Sequence, residues 1–250
     1  MSEYILETFG LSKRFAGFTA VSDFDLRVKH GSIHAMIGPN GAGKTTVFNL
    51  LTKLLEPTSG RIVFQGNDIT GLSAAAIARL GIVRSFQISA VFAHLSARDN
   101  IKVSLLQALN TSFHFWKSDR SMDVLNDKAD AFLDAVGLAN LGHVTAAELP
   151  YGRKRALEIA TTLALEPKIL LLDEPTAGLG REDIERVSQL IKRISADRTI
   201  LMVEHNLKVV AALADTITVL TRGKILVEGP YSEISAKPEV REAYMGTGHG

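Results

Sequence analysis

Gly38-Pro39-Asn40-Gly41-Ala42-Gly43-Lys44-Thr45 fits the GxxxxGK[ST] pattern of a phosphate-binding loop. The pattern has physical meaning only between a strand and a helix, and both neighbours are present. Ile33 to Ile37 is a short apolar run that reads as a buried strand, and from Lys44 to about Leu55 the apolar spacing is helical. Glycines at these positions let backbone N–H groups turn inward around a polyphosphate, at a helix N-terminus already biased toward anions. Lys44 is placed to reach β- and γ-phosphates, and the Thr45 hydroxyl to complete a Mg²⁺ shell.

Working outward, short β-branched runs alternate with amphipathic helical patterns, which predicts an α/β protein with a largely parallel sheet. Further strands are expected at Arg61 to Phe64, Ile82 to Phe86, Ile169 to Leu172, Thr199 to Val203 and Thr216 to Leu220. Helices are expected at Ile184 to Ile194 and Leu207 to Leu213, the former with Ile184, Val187, Leu190, Ile191 and Ile194 on one stripe. A turn is expected at Gly66-Asn67, and a hairpin turn at Thr221-Arg222-Gly223-Lys224 before a last strand, Ile225 to Val227. From about Ser89 to Thr162 the pattern is helical with no convincing strand, as in an inserted helical subdomain.

Composition bounds the possibilities. The 250 residues carry 28 Lys+Arg against 27 Asp+Glu, so nothing in the bulk charge favours nucleic acid or anionic lipid. With 46% hydrophobic residues the chain has enough apolar material for a sizeable core, which excludes disorder. The absence of cysteine removes disulfides, zinc–thiolate sites and thiol catalysis, in keeping with a reducing compartment. Met1-Ser2-Glu3-Tyr4 shows no secretory pattern, and no apolar stretch approaches the roughly 20 residues a membrane span requires. The chain therefore reads as cytoplasmic, with any membrane role passing through a partner. His30, His34, His94, His114, His143 and His249 show no metal-ligand spacing.

A second chemical element is Ile169-Leu170-Leu171-Leu172-Asp173-Glu174, a buried strand delivering two carboxylates at its C-terminal end. Open parallel sheets bind ligands at that edge. Asp173 is expected to hold Mg²⁺, directly or through water, and Glu174 to polarise a water against the γ-phosphate.

With Gln87 after a strand, Leu149-Pro150-Tyr151-Gly152-Arg153 opening a helix, and His205 after the strand ending at Val203, the order of motifs resembles the ATP-binding subunits of ABC transporters over essentially the whole chain. The resemblance implies a P-loop NTPase (RecA-like) core with an ABC-type antiparallel β subdomain and an inserted helical subdomain. In a single domain of residues 1–250, the core would take 1–88 and 163–250 and the helical subdomain 89–162. It implies ATP and Mg²⁺ sandwiched between two head-to-tail subunits, in a homo- or heterodimer. The site would comprise Gly38, Pro39, Asn40, Gly41, Ala42, Gly43, Lys44, Thr45 and Thr46, with Phe15 stacking on adenine. Phe9, Phe18 and Phe24 are candidate core residues, and core is the alternative reading of Phe15 too. Pro150, Tyr151, Gly152 and Arg153 would face the partner's nucleotide. Thr45, Gln87 and Asp173 would surround the metal, and Glu174, His205, Gln87 and Lys44 would serve catalysis.

Two departures stand out. The usual signature Leu-Ser-Gly-Gly-Gln is replaced by Leu149-Pro150-Tyr151-Gly152-Arg153, so Pro150 offers neither hydroxyl nor N–H. Arg153 either adds charge toward the trans nucleotide or caps a surface. The loop Ala177-Gly178-Leu179-Gly180 lacks the common aspartate.

Segments such as Lys13-Arg14-Phe15, Phe48-Asn49-Leu50, Asp68-Ile69-Thr70-Gly71-Leu72 and Val203-Glu204-His205 resemble the branched-chain amino-acid uptake branch of the family. That likeness implies an importer subunit held on the inner face of the plasma membrane by two permeases, with a periplasmic solute-binding protein in the full system and no nucleic acid. The alternatives are a soluble non-transport ABC ATPase and a regulatory, weakly hydrolysing subunit of a heterodimer. Phe113, Phe115 and Trp116 either contact a permease or pack under a surface loop.

Overall fold

The protein is described by a computed structural model over residues 3–85, 91–108 and 119–245. From the N-terminus, β1 (Tyr4–Phe15), β2 (Phe18–Phe24) and β3 (Arg27–Lys29) precede β4 (Ile33–Ile37), and β5 (Ser59–Phe64) and β6 (Asn67–Asp68) come after it. All but β4 form an antiparallel sheet ordered β2-β1-β5-β6, with β3 also paired to β1. The β5–β6 turn falls at Gln65-Gly66 rather than at Gly66-Asn67. Both central residues have positive φ, 50° and 80°, the backbone that matches the twist of a two-residue hairpin.

The second sheet joins β4 to β7 (Ile82–Ser85), β8 (Ile169–Asp173), β9 (Thr199–Val203), β10 (Thr216–Thr221) and β11 (Lys224–Gly229) in the order β11-β10-β4-β9-β8-β7. Every pairing is parallel except β10–β11, closed by the expected hairpin turn at Arg222-Gly223. β4, β8 and β9 are buried along their whole length, which is why they read as continuous apolar runs. Alternate residues serve two cores. Ile33, Ala35, Leu170, Leu172, Ile200 and Met202 face a helical layer, whereas Met36, Ile169, Leu171, Leu201 and Val203 face α1 (Lys44–Leu51) and the antiparallel sheet.

α1 stops at Leu51, short of the expected Leu55. Lys53 turns left-handed (φ 57°), drawn by an ion pair to Glu56 and a 2.5 Å bond to the Thr70 carbonyl, and Leu55 N–H closes the end on Asn49 O at 3.0 Å. After α2 (Ala74–Leu80) the chain enters a helical stretch with α3 (Ala97–Ala108), α4 (Asp119–Ala135) and α5 (Tyr151–Leu163). Among its described residues the only strand-like pairing is the single bridge Ser96–Thr145. α6 (Arg181–Ile194) buries Val187, Leu190, Ile191 and Ile194 as its periodicity predicts, with acids in its first turn and bases in its last to suit the helix dipole. α7 (Leu207–Leu213), α8 (Tyr231–Ile234) and α9 (Pro238–Met245) complete the chain. No helix among the described residues is long and apolar enough to cross a membrane. Gln87, Phe113, Phe115 and Trp116 lie outside the described residues.

Candidate active site

The parallel strands bring their C-terminal ends to one edge of the sheet, and three of those ends make the site. β9 lies between β4 and β8, with Val203 level with both Met36 and Asp173. The chain leaving Val203 therefore emerges between the phosphate loop and Glu174. His205 lands there, its Nε2 2.7 Å from Glu174 Oε1.

The loop after β4 leaves no room for a side chain at two of its glycines. A Cβ on Gly38 would lie 2.3 Å from Leu220 O, and one on Gly43, at φ +105°, 2.7 Å from Ala20 O. Lys44 curls back over this loop, its Nζ donating to the carbonyls of Gly38 (2.7 Å) and Pro39 (3.0 Å). Burial pushes the Lys44 ammonium below the usual lysine value, and the carboxylates of Glu174 and Asp173 pull it partly back. A cleft of about 470 Å³ opens above, lined by Phe18, Thr19 and Ala20, the loop from Asn40 to Thr46, Glu174, His205 and Arg222.

Glu174 sits in left-handed backbone (φ +48°), a conformation that costs a non-glycine residue about 1–3 kcal/mol and persists only where surroundings enforce it. Two buried residues do so. Arg155, from α5, donates to the carbonyls of Asp173 (3.1 Å), Glu174 (2.7 Å) and Pro175 (3.1 Å), and its charge is met by Glu158 at 2.8 Å. Glu204, only 2% exposed, accepts from Thr176 N and Oγ1 (3.0 and 2.5 Å) and from the amides of His205 (2.9 Å) and Asn206 (3.0 Å). One carboxylate thus fixes the loop carrying Glu174 against the loop carrying His205.

Asp173 ends β8 with its carboxyl buried, one oxygen ion-paired to Arg84 and the other without a partner among the described residues. Thr45 stands in the cleft wall. No cluster of three or more His, Cys, Asp or Glu occurs among the described residues. One hydroxyl and one open carboxylate oxygen suit Mg²⁺, which takes few protein oxygens and fills its octahedron with phosphate and water.

At the other end, Phe15 and Phe18 stack with centroids 5.5 Å apart and planes at 24°, both rings solvent-exposed, with Lys13 Nζ 5.3 Å from the Phe15 ring. Phe18 lines the cleft, whereas Phe24 is core. The remaining expected residues sit away from this cleft. Pro150 caps α5, with both Arg153 N and Lys154 N bonded to its carbonyl at 2.9 Å, and Tyr151 is exposed. Gly152 is buried with the Asp183 carboxyl where a side chain would go, 2.2 Å from a Cβ position. Arg153 donates to Gly137 O at 2.8 Å, tying α5 to the end of the preceding helix.

Sequence reading alone did not single out Arg84, Arg155, Glu204 or Arg222, nor choose Phe18 for the site. The available signals were a lone arginine inside the apolar run Ile82-Val83-Arg84-Ser85 and an acid between a buried strand and His205.

A phosphate loop, strand-end carboxylates and a glutamate–histidine pair converging on one cleft define a P-loop nucleotide hydrolase. More specifically, residues 21–177 match the family model described as ABC transporter, and the chain belongs to that family. It is 39% identical over 256 residues to the high-affinity branched-chain amino acid transport ATP-binding protein BraF of Pseudomonas aeruginosa, covering 98% of this chain and 99% of that one. Against the corresponding protein LivG of Escherichia coli K12 the identity is 37% over 253 residues, with the same coverage. Among solved structures, the ADP conformation of the ATP-binding cassette MJ1267 superposes with a TM-score of 0.87 at 29% identity, over 98% of this chain and all of that one. A nucleotide-free ABC transporter cassette gives 0.84 at 28% identity, covering 96% and 98%. The protein is an ATP-binding, ATP-hydrolysing transporter cassette.

Proposed function

We propose that this cassette powers the import of branched-chain or chemically related amino acids, working as one of two head-to-tail ATPase subunits on the cytoplasmic face of two membrane permeases. The observation that carries the chemistry is the Glu174–His205 pair facing the Lys44–Thr45 end of the phosphate loop in one cleft. The solute class rests on the nearly full-length likeness to BraF and LivG, both named as branched-chain amino acid transport proteins.

In this reading the amides from Gly38 to Thr46 cradle the β- and γ-phosphates. Lys44 gives up its loop carbonyls to neutralise them, and Phe15 with Phe18 offers an aromatic face to the adenine. Thr45 and Asp173, with Gln87, would hold Mg²⁺, which would supply positive charge against the phosphates. Glu174 orients and deprotonates the attacking water, and His205 holds Glu174 in line while contacting the γ-phosphate. Pro150, Tyr151, Gly152 and Arg153 cover the partner's nucleotide. The helical stretch 89–162 moves against the core, 1–88 and 163–250, and passes dimer closure to the permeases.

The test is uptake. Cells lacking the chain should lose ATP-dependent accumulation of labelled leucine, isoleucine and valine, and regain it with the wild-type chain but not with Glu174→Gln. Unchanged uptake of all three in the depleted cells would contradict the assignment.

A further inference from the structure

Arg84 is a nearly buried cation beside the carboxylate that ends β8. It lies on β7, its side chain 9% exposed against 2% for Asp173, and the two form an ion pair. Its guanidinium has a second grip, Nη1 donating to Asn49 Oδ1 at 2.6 Å, and lies over the Phe48 ring with its carbon 5.5 Å from the centroid. Asn49 stands one turn after Thr45 on α1, so a single side chain spans the strand that presents Asp173 and the helix that presents Thr45. The arrangement is held despite a penalty, since Arg84 Nε is buried with no hydrogen-bond partner among the described residues. Lys44 does not take this part, because its ammonium is bonded to Gly38 and Pro39.

Two features bear on what the pair does. A carboxylate this buried requires compensation, which a structural ion pair alone would supply. Compensation does not require a two-pronged grip on α1, nor does it leave one Asp173 oxygen without a partner among the described residues. A planar fork holding one carboxylate oxygen and one amide oxygen fixes the distance and rotation between their carriers, which a point charge would not.

We propose that Arg84 is a positioning residue for the divalent metal: it grips Asp173 and Asn49 together so that the open oxygen of Asp173 and the Thr45 hydroxyl meet one Mg²⁺ ion. The inference rests on the proposed assignment of Asp173 and Thr45 as metal ligands.

The experiment separates metal binding from nucleotide binding. A fluorescent ATP analogue is titrated into the full chain in EDTA, then Mg²⁺ is titrated at saturating analogue, with Mn²⁺ binding followed in parallel by electron paramagnetic resonance. Arg84→Met should leave metal-free nucleotide affinity within about twofold and raise the half-saturating divalent concentration about 10- to 100-fold, the range for losing an outer partner of a metal ligand. Arg84→Lys keeps the charge but not the fork, and should fall between wild type and Arg84→Met. A purely structural role predicts lower melting temperatures with an unmoved half-saturating concentration, and that result would overturn the proposal. So would a lower concentration, which would mean that Arg84 competes with the metal. If Arg84→Met does not fold, an unmoved half-saturating concentration in folded Arg84→Lys overturns the proposal alone. Asp173→Asn is the control. If it too leaves the divalent dependence unmoved, Asp173 is not a ligand and both assignments fall; if it shifts the dependence while the Arg84 variants do not, only the Arg84 proposal falls.

Discussion

Glu174 shows how one residue can carry both strain and chemistry. Its left-handed backbone is held by Arg155 on one side and, through Thr176 and His205, by Glu204 on the other. The carboxylate reaches His205, and Lys44 is held to the phosphate loop by the Gly38 and Pro39 carbonyls, so replacing the carboxylate by an isosteric amide should leave the loop intact. Glu174→Gln is expected to bind a fluorescent ATP analogue as wild type does while phosphate release falls by about 10²-fold or more, the scale of a general base. Phosphate release at the wild-type rate would remove Glu174 from its role. At this scale the sequence was legible where a motif fixes local spacing, as in Lys44, Thr45, Asp173 and Glu174. It assigned no role to Arg84, Arg155 or Glu204, because each acts on a partner far along the chain that only the fold brings near.

Elements were legible in proportion to their burial. β4, β8 and β9 are apolar because both faces are covered, and their limits read from sequence nearly match those observed. β1 could not be read that way. Two thirds of Tyr4–Phe15 is exposed or partly exposed, its register shifts against both β2 and β5, and its antiparallel sheet was expected only from family resemblance. The end of α1 was missed because Lys53 is held by Thr70, a residue just beyond β6 rather than one of the helix. One buried link between elements has a measurable consequence. His34 of β4 is 1% exposed, with Nε2 2.7 Å from Thr218 Oγ1 of β10, and Thr218 donates to Glu228 of β11 at 2.5 Å. Because that donation uses the Thr218 proton, His34 Nε2 is the donor in its contact. Burial pushes its pKa from 6.5 down to about 4, with Glu228 3.8 Å away and partly exposed. Below about pH 6.5 the unfolded chain takes up a proton that the folded chain refuses, so folding stability should fall as pH drops toward 4, by about 1.4 kcal/mol per unit. Urea denaturation across that range should show the slope in wild type and lose its His34 share in His34→Gln. An identical slope in both would contradict the assignment.

At the scale of the whole molecule, the proposed head-to-tail dimer would use two surfaces of the chain that do not face each other within one subunit. The phosphate loop, Glu174 and His205 line one cleft, while Pro150, Tyr151 and Gly152 open α5 outside that cleft. Arg155 joins them physically, since it lies on α5 yet bonds the carbonyls beside Glu174. Under the proposed function, partners complete such a cassette. The most direct measurement is affinity purification of the tagged chain from its native membranes in mild detergent, with identification of all that stays bound. The account predicts two membrane-spanning permeases, together with either a second ATP-binding cassette or a second copy of this chain. Recovery of the chain only from the soluble fraction, with no membrane protein attached, would contradict it.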